Sequence, residues 1–265
     1  MYSRIQLAFK YLAYYFSASN GKGHGTHSPF VFDFITQVLN DSQVYPEYST
    51  IEKLRAAMLE DQRKLTVKDF GAGSSVSNNN QRSIASIAAS AVKPRKYGQL
   101  LFRMVKKYKP GTVLELGTSL GITSSYLSLG NPQGKMITME GADEVAQVAR
   151  QNFQQLGMGA IDMVPGDFQR TLPTVLSGLN TIDFVFVDGN HRKEPTVQYF
   201  NQLLPKTNAQ TILVFDDIHW SREMEEAWEI IKSHPAVRCS IDLFFVGIIF
   251  FGGQFKEKQD FTIRF

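Results

Sequence analysis

The pattern of apolar and polar positions changes near residue 110. Beyond it, short runs rich in β-branched and aromatic residues alternate with stretches long enough to form helices. These runs cover residues 112–116, 135–140, 161–165, 182–188 and 210–216. Strands that alternate with helices predict an α/β fold in which a mostly parallel sheet is covered by helices on both faces.

The last part of the chain has a different pattern. After a helix predicted to begin at Ser221, three short apolar runs follow with tight connections, at 239–245, 246–251 and 260–265. We expect them to finish the sheet with an antiparallel edge. The longest apolar run, residues 243–251, is far shorter than the roughly 20 residues that span a bilayer and predicts a buried strand.

The first 110 residues are dominated by helical signals. Residues 1–21 predict an amphipathic helix. A basic residue and the apolar content of this segment are also features of a signal peptide, but Lys10 interrupts the hydrophobic region that a signal peptide needs. Core packing is the favoured explanation for its many aromatic residues, and contact with a membrane surface or a partner is the alternative. Ser28 and Pro29 predict the start of a second helix.

Two further helices are predicted before the first strand of the sheet. Ser49 and Glu52 have the spacing of a capping box, which predicts a charged helix ending near Lys64. Residues 94–109 predict a basic helix with an apolar stripe.

Composition and charge sharpen this division. The chain has 265 residues, of which 43% are apolar and 20% charged, which is ordinary for a globular protein. Residues 1–110 contain 16 Lys and Arg against 7 Asp and Glu, whereas residues 111–265 contain 12 against 18. We therefore predict a mainly helical segment, 1–110, and a second domain, 111–265. The single cysteine, Cys239, excludes an intramolecular disulfide and suits a reducing, cytoplasmic location.

Three local signals in the first half carry little weight. The tripeptide DFG at 69–71 lacks the other motifs of a kinase, and no helix follows GAGSS at 71–75 closely enough to form a phosphate site. His24 and His27 have a spacing compatible with metal binding, but no cysteine or carboxylate lies near them in the sequence. We interpret both histidines as exposed or capping residues.

The turn after the first strand of the sheet lies between two glycines and is the candidate ligand-binding site. Gly117 and Gly121 allow the backbone to approach a ligand, and the helix that follows offers free N–H groups. Glu140 ends the next strand, where a carboxylate can accept hydrogen bonds from both ribose hydroxyls. The pattern indicates a nucleoside-containing cofactor, and the absence of G-x-G-x-x-G argues against a dinucleotide.

These residues, with GDFQ at 166–169, FVDGNH at 186–191 and VFDD at 214–217, resemble the class I S-adenosylmethionine-dependent methyltransferases, especially small-molecule O-methyltransferases with a DG-x-H element. The resemblance covers residues 111–265. It implies a Rossmann-like sheet of seven strands, the last antiparallel, with S-adenosylmethionine across the carboxyl ends of its strands. The residues it implies around the cofactor are Glu115, Gly117, Ser119, Gly121, Thr123, Glu140, Asp167, Phe168, Gln169 and Asp188.

Methyl transfer to a hydroxyl requires a base that deprotonates the acceptor. The resemblance to catechol-type enzymes implies a Mg²⁺ or another divalent cation held by Asp188, Asp216 and Asp217. The sequence departs from that pattern because His191 stands where those enzymes carry a lysine base, and Asp217 replaces an asparagine ligand. Metal dependence therefore stays open. In the alternative, Asp188 and Asp216 contact the cofactor and the strand-end backbone, and His191 is the base. His219 is interpreted as a packing or capping residue.

The sequence thus predicts an enzyme that methylates an oxygen of a small molecule. The basic first half leaves a nucleic-acid methyltransferase as an alternative, although no nucleic-acid module accompanies it. A non-catalytic protein that retains the fold is the third. Residues 1–110 are predicted to form a lid over the acceptor or a homodimer contact.

Overall fold

The computed structural model describes residues 1–23, 27–67 and 81–265, with the side chain of Ala91 left out. His24, DFG at 69–71 and GAGSS at 71–75 lie outside these residues. In chain order the elements are α1 Arg4–Ser17, α2 Pro29–Phe34, a π-helical turn Ile35–Leu39, α3 Pro46–Glu60, β1 Lys64–Thr66, β2 Gln81–Ser83, α4 Ile84–Ala91, α5 Arg95–Tyr108, β3 Thr112–Leu116, α6 Ile122–Gly130, β4 Lys135–Glu140, α7 Asp143–Gln155, β5 Asp162–Pro165, α8 Phe168–Ser177, β6 Phe184–Val187, α9 Lys193–Leu203, a 3₁₀ turn Leu204–Lys206, β7 Ile212–Asp216, α10 Arg222–Ser233, β8 Cys239–Asp242, β9 Val246–Phe250 and β10 Gln259–Thr262.

The central sheet confirms the predicted α/β fold. Its eight strands follow the order β10-β8-β9-β7-β6-β3-β4-β5, and the five predicted parallel strands are β3 to β7. The sheet has one strand more than the predicted seven, and its antiparallel strand is β9, not the last. All five residues of β9 are buried, as an interior strand requires, whereas β10 pairs in parallel with β8 and is partly exposed.

The chain divides into two compact units, residues 42–178 and residues 1–41 together with 179–265. The predicted boundary at residue 110 falls inside the first unit, so α1 and α2 are grouped with the C-terminal strands. The proposed role of residues 1–110 as one lid or dimer segment stays a prediction. Within the described ranges, no helix combines the length and apolar character needed to cross a bilayer.

In the unit of residues 42–178, α3 begins earlier than predicted. Pro46 occupies its first turn, where a fixed φ favours helix and a missing N–H is harmless, and Tyr45 is the N-cap. The predicted capping box at Ser49 is therefore wrong. Glu52 has another role, because its Oε1 accepts hydrogen bonds from the Tyr126 hydroxyl at 2.7 Å and from Arg55 Nε at 3.1 Å.

The basic helix α5 forms as predicted and buries its apolar residues. Leu100, Leu101 and Val105 are at most 1% exposed. The glycine at position 98 makes close packing possible, since a Cβ there would lie 2.5 Å from the ring of Tyr126 in α6. The predictions contained neither α4 nor the β1–β2 hairpin.

In the unit of residues 1–41 and 179–265, α1 and α2 form where predicted. A capping box joins Ser3 and Gln6 at the start of α1, and Pro29 begins α2, although the Ser28 side chain makes no capping bond. The expectation that the aromatic residues of α1 pack in a core holds for its inner face, where Tyr14 is buried. It is wrong for the outer face, which includes Phe16.

Candidate active site

The turn between β3 and α6 contains three residues with positive φ. Gly117, Ser119 and Gly121 have φ of 109°, 48° and 81°. The backbone N–H groups of Gly117 and Thr118 both donate to Met139 O at 3.0 Å, which fixes the turn against β4. No side chain caps α6, so its N-terminal N–H groups are suited to a ligand.

Gly121 is required by both space and backbone conformation. A Cβ at this position would lie 2.6 Å from the Phe153 ring, whereas nothing lies within 4 Å at Gly157, which also has a positive φ. We expect Gly121→Ala to lower the free energy of unfolding by about 3 kcal/mol and Gly157→Ala by only about 1 kcal/mol. Urea denaturation of both variants measures the difference. Equal losses of unfolding free energy in the two variants would show that the ring of Phe153 moves aside without an energetic cost.

Glu140 joins the two turns that follow β3 and β4. Its Oε2 accepts from Ser119 N at 2.8 Å, and its Oε1 accepts from Ala142 N at 2.9 Å. Burial raises the pKa of the Glu140 carboxyl, although backbone donors including Ser119 and Ala142 act in the opposite direction. Each oxygen has a further lone pair that can accept from a hydroxyl.

Glu115 lies beneath the glycine turn and is fully buried. Its Oε2 accepts from the hydroxyl of Ser124 and from Thr138 Oγ1, the latter at 2.6 Å, and the Thr118 hydroxyl lies 2.6 Å from that of Thr138. Burial, with a smaller contribution from the nearby charge of Glu140, raises the pKa of Glu115 to about 7 against the opposing effect of the two hydroxyl donors.

Two buried polar atoms near the turn have no hydrogen-bond partner among the described residues. They are Oε1 of Glu115 and Oγ of Ser119. Buried polar atoms are nearly always satisfied, so such a pair points to a ligand that supplies the missing partners. The polar groups of a nucleoside cofactor that carries an amino acid can supply them, and the residues present therefore fit S-adenosylmethionine. Thr123, also predicted near the cofactor, lies in the first turn of α6 and is buried.

The remaining residues that were predicted to contact the cofactor, Asp167, Phe168 and Gln169, follow β5. Gly166 N donates to Glu140 O at 2.8 Å, which brings this loop beside the end of β4. The Asp167 side chain caps α8 by accepting from Gln169 N at 3.0 Å. Phe168 is partly buried and Gln169 is exposed. A surface depression of about 510 Å³ touches Gly166 and Asp167.

The predicted catalytic pair lies in the other unit, after β6. His191 Nε2 lies 3.4 Å from Asp188 Oδ1, and both side chains are partly exposed. Asn190 and His191 have φ of 72° and 45°, a conformation that is uncommon for residues other than glycine, although asparagine and histidine adopt it more often than most. Strained backbone of this kind is concentrated at functional sites. Asp188 and His191 therefore lie close together, and their catalytic roles stay a prediction.

The predicted metal site receives no support from this geometry. Asp216 ends β7 and is 1% exposed, while Asp217 has a φ of 54° and its N–H donates to Phe245 O at 2.6 Å. Across the described residues, no three His, Cys, Asp or Glu side chains are arranged to hold a metal ion. As arranged, Asp188, Asp216 and Asp217 do not fit a divalent cation.

His219 lies between two carboxylates, in addition to packing as predicted. Its Nδ1 lies 3.1 Å from Glu225 Oε1 and its Nε2 lies 2.8 Å from Asp242 Oδ2. The imidazole stacks on Phe244 with 5.1 Å between ring centroids. Burial alone lowers the pKa of His219, but the bonds to Asp242 and Glu225 raise it by more.

Glu225 also binds the start of the chain. It accepts from the Tyr2 hydroxyl at 2.7 Å and from Lys10 Nζ at 2.9 Å. These donors and His219 lower the pKa of Glu225, although burial acts in the opposite direction. The α1 helix is thus anchored to α10 through a charged network.

The raised pKa of His219 predicts a pH-dependent stability. The stabilisation is complete below the ordinary histidine value of about 6.5 and is lost as the pH rises through the raised pKa of the folded state. We expect the wild type to lose about 1 kcal/mol relative to His219→Gln between pH 6 and about pH 8.5. Unfolding measured at several pH values tests this, and parallel curves for the two proteins would contradict it.

Some residues of these networks were not predicted. Ser124 and Thr138 bind Glu115, and Lys10 and Glu225 belong to the network around His219. The only sequence signal was a threonine inside the apolar strand KMITME. A polar residue in a buried strand needs a partner, but the sequence does not show which one.

Known proteins resemble parts of this chain. A family described as a methyltransferase domain matches residues 114–218. A catechol O-methyltransferase of Mycobacterium tuberculosis is 32% identical over 123 residues, which cover 46% of this chain and 54% of that protein. A tRNA (guanine-N(7)-)-methyltransferase of Mycoplasma mobile is 30% identical over 82 residues, covering 31% of this chain and 41% of that protein. The chain thus spans about half the length, or less, of these curated relatives.

The fold is shared with solved methyltransferases. A Podospora anserina methyltransferase bound to S-adenosylhomocysteine superimposes with a TM-score of 0.60 over 84% of this chain and 96% of that chain, at 14% identity. This likeness shows the fold, and the family match shows the domain. Residues 114–218 therefore match a methyltransferase domain, and the fold is that of solved methyltransferases.

Proposed function

We propose that this protein transfers the methyl group of S-adenosylmethionine to a hydroxyl oxygen of a small molecule. The observation that carries the proposal is the arrangement around the β3–α6 turn. There, Glu140 is held by two backbone N–H groups, and Glu115 and Ser119 each present a buried polar atom without a partner in the described part of the chain. The catechol O-methyltransferase relative supports oxygen as the acceptor atom.

The residues of the 42–178 unit bind and orient the cofactor. When bound, S-adenosylmethionine would supply a methyl carbon that the acceptor oxygen attacks in line, and the sulfonium would leave as a neutral thioether. Glu140 would accept hydrogen bonds from the ribose hydroxyls, and Oε1 of Glu115 with Oγ of Ser119 would bind the amino-acid part. Gly117 would leave space for the ligand, whereas Gly121 lets the turn pack against the ring of Phe153. Asp167, Phe168 and Gln169 surround the adenine.

His191 removes the proton from the acceptor hydroxyl. Asp188, with Oδ1 3.4 Å from Nε2, orients the imidazole and stabilises the charge that forms on it. Deprotonation makes the oxygen a stronger nucleophile in the displacement. Since Asp188, Asp216 and Asp217 are not arranged as a metal site, no step of this scheme uses a metal ion. We place the reaction in the cytoplasm, where the single buried cysteine stays reduced.

Calorimetry with S-adenosylmethionine, followed by transfer of a labelled methyl group to a panel of phenols and catechols, tests the proposal. We expect binding and transfer, and transfer that a chelator does not reduce. No cofactor binding would overturn the proposal. Binding without transfer, together with biological activity that survives His191→Ala, would favour the non-catalytic alternative. Loss of turnover with chelator and recovery with Mg²⁺ would replace the His191 scheme by a metal-centred one.

Nucleic-acid methylation is the second candidate function. It is favoured by the similarity to a tRNA methyltransferase over 82 residues and by the excess of Lys and Arg in residues 1–110. Labelled tRNA is the probe in a gel-shift and methyl-transfer assay at low salt. A shift and a labelled nucleoside would support this candidate over the small-molecule one, and the absence of both would exclude it.

A further inference from the structure

We propose that the outer face of α1 docks on the surface of an anionic lipid bilayer. This face is formed by Ile5, Phe9, Leu12 and Phe16, which are 70%, 69%, 49% and 80% exposed. Their spacing of four, three and four residues places them on one stripe of the helix. The proposal concerns this surface alone and does not depend on the methyl-transfer chemistry.

The opposite face of α1 is fixed, so the helix does not rotate to bury the outer stripe. Tyr14 is buried, and its hydroxyl donates to Ile263 O. Tyr11 contacts Phe244 edge to face, with 5.1 Å between the ring centroids. Lys10 is paired with Glu225 at 2.9 Å. The outer stripe is therefore presented to the surroundings on a well-anchored helix.

The charges of the N-terminal segment that contains the stripe favour a lipid surface over a second copy of the chain. Residues 1–32 contain Arg4, Lys10 and Lys22 but neither Asp nor Glu. Arg4 and Lys22 are exposed, whereas Lys10 is paired within the protein. Pairing two copies through this helix would bring like charges together with no acidic partner in this segment. Anionic headgroups complement both exposed cations, and attraction of this kind drives basic segments to membranes.

The size of the stripe leads to the same conclusion. Its four side chains expose roughly 500 Å² of apolar surface, taking about 200 Å² for each complete side chain. A standard dimer interface buries about 800 Å² on each partner, so the stripe is too small to hold a dimer by itself. It is nevertheless large for a contiguous patch that stays in water. An amphipathic helix that lies in the bilayer interface buries a stripe of this size, with aromatic and aliphatic residues on its apolar side.

Vesicle sedimentation with the full chain tests the proposal. The probes are phosphatidylcholine vesicles and phosphatidylcholine vesicles that contain about one quarter phosphatidylglycerol. We expect binding to the anionic vesicles, at least tenfold weaker for the double variant Phe9→Ser/Phe16→Ser. Arg4→Gln/Lys22→Gln should weaken binding to the anionic vesicles, and salt should weaken binding of the wild type. All these positions are exposed, and circular dichroism checks that the variants fold.

Val44→Ser is the matched control, since Val44 is 83% exposed but lies outside α1. We expect it to bind vesicles like the wild type. The proposal fails if the wild type does not bind anionic vesicles, or if the double variant binds as well as the wild type. Sedimentation velocity without lipid tests the alternative in which a second copy of the chain covers the stripe. A wild-type dimer that dissociates in the double variant, together with no vesicle binding by the wild type, would assign the stripe to a second copy.

Discussion

Replacing His191 with glutamine is expected to lower the rate of methyl transfer about 1,000-fold, which is within the usual range for loss of a general base. Glutamine keeps a polar side chain but does not accept the proton of the acceptor hydroxyl. Because His191 has no proposed role in holding the cofactor, calorimetry should give an S-adenosylmethionine affinity within about twofold of the wild type. Steady-state kinetics with an acceptor that the panel identifies measures the rate.

Two further variants make the test of His191 specific. His27→Gln changes an exposed histidine of the same unit and should leave the rate unchanged. Asp188→Asn should lower the rate and alter its pH profile, because the amide no longer stabilises the charged imidazole. A His191→Gln enzyme with more than a tenth of wild-type activity would show that another group, or the solvent, accepts the proton.

Replacing Glu140 with glutamine is expected to weaken S-adenosylmethionine binding about 100-fold, equivalent to ~2.7 kcal/mol. The variant loses a charged acceptor for the ribose hydroxyls. Its amide nitrogen, a donor, also faces one of two backbone donors, either Ser119 N or Ala142 N. One of the two turns, after β3 or after β4, is therefore disturbed together with the cofactor contact. Isothermal titration with the intact chain measures the affinity.

Asp162→Asn is the matched control, since it removes an exposed carboxylate on β5 of the same unit. Its cofactor affinity should equal that of the wild type. Thermal unfolding of Glu140→Gln separates a local effect from loss of the fold. If a folded Glu140→Gln variant binds the cofactor with wild-type affinity, Glu140 is not part of the cofactor site.

The strands of the sheet were predictable because their signal is local. Each of β3 to β7 is an apolar run bounded by turn residues, and the burial of β3, β6 and β7 explains why these runs do not alternate with polar residues. The place of β9 between β7 and β8 was not predictable, because an apolar run does not state its neighbours. The early start of α3 was missed because the capping-box spacing of Ser49 and Glu52 was given more weight than Pro46.

The site was predictable as far as its residues follow strand ends. Glu140 and Asp188 were predicted in this way, whereas Glu115 was predicted from the family resemblance, and the positive φ of Gly117 and Gly121 agrees with a turn at this place. The roles of these residues stay predictions. The hydrogen-bond networks around Glu115 and His219 were not predictable, because their members come from separate parts of the chain. Tyr2 and Glu225 are 223 positions apart, and a sequence pattern contains no trace of such a pairing.

The attachment of α1 to the last strand has a consequence for how the chain folds during synthesis. The Tyr14 hydroxyl donates to Ile263 O across 249 positions, and Arg264 N donates to Ser19 O at 3.2 Å. The partners of α1 are thus synthesised long after the helix itself, and contacts of such high sequence separation form late. Until they form, the aromatic residues on both faces of α1 are exposed, which makes non-native association during synthesis a hazard for this helix.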